Sequence, residues 1–242
     1  FRVAVRRTRS AMTQVKGVLA QNPIDRFKKE FAWLGQITGP SRDLHVYQLT
    51  MPDYQDSRPE PVRPDLEPQR QFLDDHQVLE HREMVQLLDS DRYDSLLAAW
   101  QRFLDYPPDE DESPPDATTP ILQLASQRIW KSYRRVIKKG SAIDDETPPE
   151  ALHRLRIDCK KLRYLLEFFR SLYHEAEIGP LIKALKQLQD NLGDFNDLTV
   201  QQEKLRQFGK TMLAEKSGSA ATLMAMGRLI ANLEQRQEAE RR

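Results

Sequence analysis

Apolar side chains return along this chain with the period of a helix and not with that of a strand. The clearest stripe is Leu155, Leu162, Leu166 and Phe169, with Cys159 in the same register; Ile121, Leu122, Leu124, Ile129 and Ile137 supply packing positions for the segment before it. Proline, glycine and capping residues cut this pattern into pieces. Helices are predicted over 1–21, stopped at Asn22-Pro23, over 24–37, stopped at Gly39-Pro40, and over 42–49, capped by Ser41. Residues 52–68 hold five prolines among charged residues and predict an irregular, exposed connection. Further helices are expected over 69–88, 93–104, 120–139 and 149–173, the last broken before Gly179-Pro180, then over 181–191, 194–209 and 220–238. About ten helices and no strand make an all-α protein, packed as two helical bundles.

The pattern also repeats. Arg2, Arg6 and Arg9 recur as Arg156, Lys160 and Arg163, and Gly39 with Asp43-Leu44 recurs as Gly193 with Asp197-Leu198, both at an offset of 154 residues. One offset shared by two separated motifs points to an internal duplication, and two similar units about an approximate two-fold axis would bring two basic faces round one basic cavity. The halves are expected at 1–104 and 120–242, joined by an acidic, proline-rich linker over 105–119 and together forming one domain.

Composition bounds the rest. No apolar run approaches the roughly 20 residues that cross a bilayer, so a soluble protein with no membrane partner is expected. The single cysteine, Cys159, leaves no disulfide framework, and a cytoplasmic location is the default. Phe1 opens in the middle of an amphipathic pattern without a methionine, which predicts a lost N-terminal piece. The formal net charge of zero hides a partition: residues 1–46 carry nine basic and three acidic side chains, 47–119 carry six and eighteen, and 120–242 carry 22 and 16. A polyanion feels the local field, because screening ends interactions beyond about 10 Å. A neutral isoelectric point therefore says little against an anionic ligand.

The basic residues form stripes. His153, Arg156, Lys160 and Arg163 share one helical face, and Arg128, Lys131, Arg135 and Lys138 share another at spacings of three, four and three. A solvated helix ordinarily mixes acids with bases in pairs one turn apart; before Asp25 the chain has no acid at all. Such a face repels itself and calls for a counter-ion, and arginine suits the forked contacts of phosphate oxygens.

Other chemistry is poorly supported. The five histidines show no His-x-x-x-His spacing and there are no paired cysteines, so no metal or cofactor is predicted. Neither a P-loop nor a Gly-x-Ser-x-Gly motif occurs. An enzyme, either a phosphate-ester hydrolase or a phosphotransfer bundle using His153, remains the competing class, with nucleic-acid binding as a third reading. Against the last, aromatics near the basic faces are sparse, Tyr133 and Tyr164 being the nearest.

With His153-x-x-Arg156-x-x-x-Lys160-Lys161-x-Arg163-Tyr164 and Leu-Gln-Asp-Asn-Leu-Gly193-Asp-x-Asn196-Asp197, and their partial echoes at Arg2–Arg9 and Gly39–Leu44, the chain resembles the CHAD family, the conserved histidine α-helical domain. The resemblance implies two four-helix units round a basic pore that binds inorganic polyphosphate, often at polyphosphate granules. It implies ligand contacts at Arg2, Arg6, Arg9, His153, Arg156, Lys160 and Arg163; the stripe Arg128, Lys131, Arg135 and Lys138 is added on its charge alone. The first copy departs from the family in lacking its histidine, which would precede Phe1, and the helix equivalent to 120–139.

Overall fold

A computed structural model describes residues 1–106, 114–144 and 146–240, and the centre of the expected acidic linker, 107–113, lies outside them. Among the described residues there are nine α-helices: α1 (Arg2–Gln14), α2 (Gln21–Ile37), α3 (Gly39–Asp56), α4 (Glu67–Leu88), α5 (Asp91–Asp105), α6 (Ile121–Gly140), α7 (Pro149–Phe168), α8 (Glu175–Glu215) and α9 (Ala220–Glu240). Two short 3-10 segments, Glu60–Leu66 and Arg170–Leu172, complete the set, and among the described residues no strand occurs beyond one isolated bridge.

Helix boundaries echo the offset seen in the sequence. Gln21 and Glu175 open α2 and α8, 154 residues apart, and α4 and α9 start within one residue of the same spacing. The difference between the copies lies at Gly39-Pro40. Pro40 occupies the first turn of α3, where its missing amide costs nothing, and its ring prevents α2 from continuing into α3. In the second copy Asp194 stands where Pro40 stands in the first, and α8 runs unbroken for 41 residues. The two helices expected over 181–191 and 194–209 are therefore one. The break expected before Gly179-Pro180 is present, between Phe168 and Glu175, but α8 restarts ahead of that pair: Pro180 sits near the start of α8 and removes a single hydrogen bond donor.

The stretch 52–68 is likewise more ordered than its prolines predict. Helix α3 continues through Pro52 to Asp56, and prolines 59, 61 and 64 lie in or beside a 3-10 segment whose dihedrals match the ring's fixed φ. That segment ends on Leu66, which is fully buried.

Among the described residues four buried clusters hold the helices, the smallest being Ala125 of α6 with Leu165 and Phe169. The largest draws on both halves: Leu44, Met51, Tyr54, Leu66 and Phe72 interleave with Leu198, Leu205, Phe208, Met212 and Met226. Equivalent positions meet there, since Leu44, Met51, Tyr54 and Phe72 correspond at the offset to Leu198, Leu205, Phe208 and Met226, all buried. Around it lie two flanking clusters. In the first, Val5 and Met12 of α1 meet Ile24 and Phe31 of α2; in the second, their counterparts Cys159, Leu166, Ile178 and Leu185 join α7 to α8. Helix α6 covers the second cluster through Val136 and Ile129. The first is covered by α5, whose Trp100 meets Phe27 and Phe31 edge to face at 4.8 and 5.1 Å. Arg92 of α5 adds an ion pair with Glu30 at 3.0 Å and lies 4.1 Å over the Trp33 ring.

Trp100→Ala should therefore cost about 3 kcal/mol, the usual loss for an aromatic ring removed from a packed site. Urea denaturation checks this: a midpoint unchanged from the parent protein would show that α5 is not part of the cooperative fold.

Candidate functional site: a cleft between α1 and α7

Helices α1 and α7 carry the two basic triads and pack side by side. Each triad lies against the next helix of its own half, and each has an arginine over a glycine. A Cβ on Gly39 would lie 3.9 Å from Arg2 Nη1; one on Gly193 would lie 3.7 Å from both Nε and Nη2 of Arg156. The repeated glycine leaves room for a guanidinium to lie along the helix surface. A turn away, Arg9 Nη1 stands 3.4 Å from the Cβ position of Gly35, while its counterpart Arg163 donates to Gln189 Oε1 at 3.0 Å.

The guanidiniums are held from behind. Arg2 donates to Thr38 Oγ1 at 3.0 Å, and Arg156 pairs with Asp197 at 3.4 Å. Arg163 also pairs with Glu167 at 2.8 Å. His153 Nδ1 hydrogen-bonds Asn196 Oδ1. Asn196 and Asp197 of α8 thus orient His153 and Arg156 of α7.

The two triads meet at Lys160. Burial pushes its ammonium below the ordinary lysine range; Arg156, Arg6 and Arg163 push the same way, and Asp197 opposes them. Arg6 belongs to the other half and is the residue that corresponds to Lys160 at the offset. Arg6 and Arg163 also share the ring of Tyr164, with guanidinium carbons 5.9 and 4.9 Å from its centroid. Beside them a cleft of about 760 Å³ is lined by Arg6, Arg7 and Ser10 of α1, Arg163, Tyr164 and Phe168 of α7, and Arg170. Of the six triad residues Arg6 and Arg163 line this cleft, and the triads differ in depth: Arg2, Arg6 and Arg9 are exposed, whereas Arg156, Lys160 and Arg163 are half-buried.

The α6 stripe does not join this constellation. Arg128 donates to the Lys16 carbonyl and to Asp116 at 3.2 Å, tying α6 to the loop between α1 and α2. In that loop Gly17 has φ +77°, and a Cβ there would lie 2.9 Å from Asp116 Oδ2, so the latch needs glycine twice over. Arg135 stands 3.8 Å from the buried Asp158 on another side of α7. Lys131 and Lys138 are exposed. The apolar side of α6 also differs from expectation: Leu124 is buried, but Ile121, Leu122 and Ile137 are exposed, along with Trp130, which stacks on Tyr133 at 5.6 Å. Alternation of the two kinds of residue did not reveal which side of α6 meets α7.

Sequence reasoning missed Arg7, Tyr164 as a shared ring, Thr38, Gln189 and Arg170. The repeat contained part of the signal, since Gly39 and Gly193 recur with Arg2 and Arg156. Among the described residues no group of three or more His, Cys, Asp or Glu side chains is arranged to hold a metal, and no helix is long and apolar enough to cross a membrane.

The model of the CHAD domain family matches residues 1–206. The chain belongs to the CHAD domain family. Among solved structures, the CHAD domain from the plant Ricinus communis is 26% identical, with a TM-score of 0.73 over 99% of this chain and 78% of that one. PptA from Streptomyces chartreusis has the same fold at 18% identity, with a TM-score of 0.66 over 99% of this chain and 84% of that protein. No curated protein matches. As a CHAD domain the chain has the all-helical architecture expected of it, and His153 with the basic residues Arg156, Lys160 and Arg163 falls on α7 against α8.

Lys160 gives this CHAD domain a measurable cost. Its charged form is less favourable in the fold than in the unfolded chain, so the residue opposes folding at neutral pH and this opposition fades as pH rises through its depressed titration. Lys160→Met should melt at a higher temperature than the parent protein at pH 7, with the gap narrowing at alkaline pH. A lower melting temperature at pH 7 would contradict this account of the site.

Proposed function

We propose that this CHAD domain binds inorganic polyphosphate without catalysing a reaction, using the cleft between α1 and α7. The observation that carries the reading is Lys160: a half-buried ammonium flanked by Arg156 and Arg163 from its own helix and by Arg6 from the other half, with Asp197 opposing them. Four like charges this close are unfavourable until an anion enters among them. A linear polyphosphate supplies successive charges along one line, and two triads with repeats at i, i+4 and i+7 supply successive cations. Arg2, Arg6, Arg9, Arg156, Lys160, Arg163 and His153 are the assigned contacts, with Arg7 and Arg170 added from the cleft lining. Lys131, Arg135 and Lys138 belong to a separate region, and Arg128 serves as a latch. Family resemblance supports the same ligand, and with it a cytoplasmic role at polyphosphate granules.

Titration of long-chain polyphosphate in competition with single-stranded and duplex nucleic acid tests the proposal. Arg156→Ala and Lys160→Ala should each weaken polyphosphate binding by about tenfold or more, as loss of a charge-assisted hydrogen bond does. Each should also flatten the dependence of affinity on salt by about one counter-ion, by analogy with nucleic acids. Affinity should decline as pH climbs through the depressed Lys160 range, before ordinary surface lysines lose their charge. Equal affinity for all three polymers, or turnover of a phosphate ester that depends on His153, would overturn the reading in favour of nucleic-acid binding or an enzyme.

A further inference from the structure

Helix α7 carries a second triad at the same spacing, Arg154, Asp158 and Lys161, two residues out of step with Arg156, Lys160 and Arg163. Two residues are about 200° of helix, so the second triad faces away from the cleft. There it meets the last turns of α6, and a pocket of about 770 Å³ opens between the two helices, lined by Arg135, Lys138, Lys139, Arg154, Asp158 and Lys161. Five cations surround one carboxylate.

Asp158 is buried and is the anchor of this pocket. Lys139 Nζ donates to its Oδ2 at 2.5 Å, while Arg135 and Lys161 stand 3.8 Å from Oδ1. One carboxylate cannot neutralise three cations, and two of the three are only loosely engaged. Among the described residues, Lys138 and Arg154 have no carboxylate within ion-pair distance. Three lysines and two arginines on extendable stems around an open space form the chemistry that receives a compact, multiply charged tetrahedral anion. Their carboxylate holds them in place when the pocket is empty.

We infer that the α6–α7 pocket is a second anion site, for phosphate groups, separate from the cleft on the opposite side of α7. The inference extends the polyphosphate reading but stands on its own residues. Its occupant is either a free short oligophosphate or phosphate groups of a chain that also occupies the cleft; both present the same oxygens.

Calorimetric titration of the full chain with tripolyphosphate, with long-chain polyphosphate as a second arm, separates these cases. Two equivalents of tripolyphosphate should bind. The pair Lys138→Ala/Arg154→Ala, both at exposed positions, should weaken one equivalent by at least tenfold and leave the melting temperature without anion unchanged. Arg156→Ala/Lys160→Ala should remove the other. Asp158→Asn, which deletes the competing carboxylate, should tighten the outer equivalent severalfold. If the long chain spans both sites, either pair of substitutions weakens it; if only the cleft pair does, the outer pocket serves a separate small anion. A single equivalent abolished by Arg156→Ala/Lys160→Ala and indifferent to Lys138→Ala/Arg154→Ala would overturn the second site and leave the cleft standing. A single equivalent with the reverse dependence would support the outer site and overturn the cleft, and no binding by any arm would overturn both.

Discussion

The arrangement of charge in this CHAD domain depends on the hydrophobic core that its two halves share. Three like-charged side chains around Lys160 would drive α1 and α7 apart, and the force holding them is applied elsewhere, where Leu44, Met51 and Tyr54 interlock with Leu198, Leu205 and Phe208. Burial of these side chains contributes roughly 1.5–3 kcal/mol each, enough for a few of them to outweigh the repulsion of a partly solvated cluster. Separation of the two tasks lets the cleft remain electrostatically unfavourable without opening. Burial in that core also pushes the Tyr54 phenol up to about 12 and raises Tyr47 further, with Asp43 and Asp197 from equivalent places in the two halves both adding to the latter effect.

Helix content, many boundaries and the repeat were legible in the sequence because each depends on local chemistry: the apolar period, the stop at Gly39-Pro40, and a fixed spacing between motifs. The stop expected at Asn22-Pro23 failed, since α1 ends at Gln14 and Pro23 is tolerated in the first turn of α2. What was not legible depends on tertiary context. Gly193 looked like the end of a helix, yet a glycine costs only about 1 kcal/mol there, and packing on both sides of it carries α8 through. Prolines in 52–68 looked like exposed connection, yet Leu66 at the end of that stretch is one of the most buried side chains.

The candidate site divides in the same manner. Arg156, Lys160 and Arg163 were visible as one stripe because they share one helix, and Arg2, Arg6 and Arg9 because they repeat it. The stripe on α6 had the same spacing, but spacing does not say what faces it. Arg128 meets a backbone carbonyl and Asp116, brought there by a turn at Gly17 more than a hundred residues away in the chain. Arg135 and Lys138 meet the far side of α7. Likewise, that α5 covers the first flanking cluster follows from Trp100 and Phe27 finding each other, which no local rule encodes.

Helix α8 spans about 60 Å at the usual rise per residue. A single rod carries Gln189, Gly193, Asn196 and Asp197 behind the second triad and Leu198, Leu205 and Met212 into the shared core. The first half has a joint at the same place, between Ile37 and Gly39. The two walls of the cleft thus differ mechanically. Strain arising in the core reaches Arg156 along a stiff lever, whereas on the side of Arg2 it can be absorbed at Thr38, so adaptation of the cleft to an irregular ligand would fall mainly on the jointed wall.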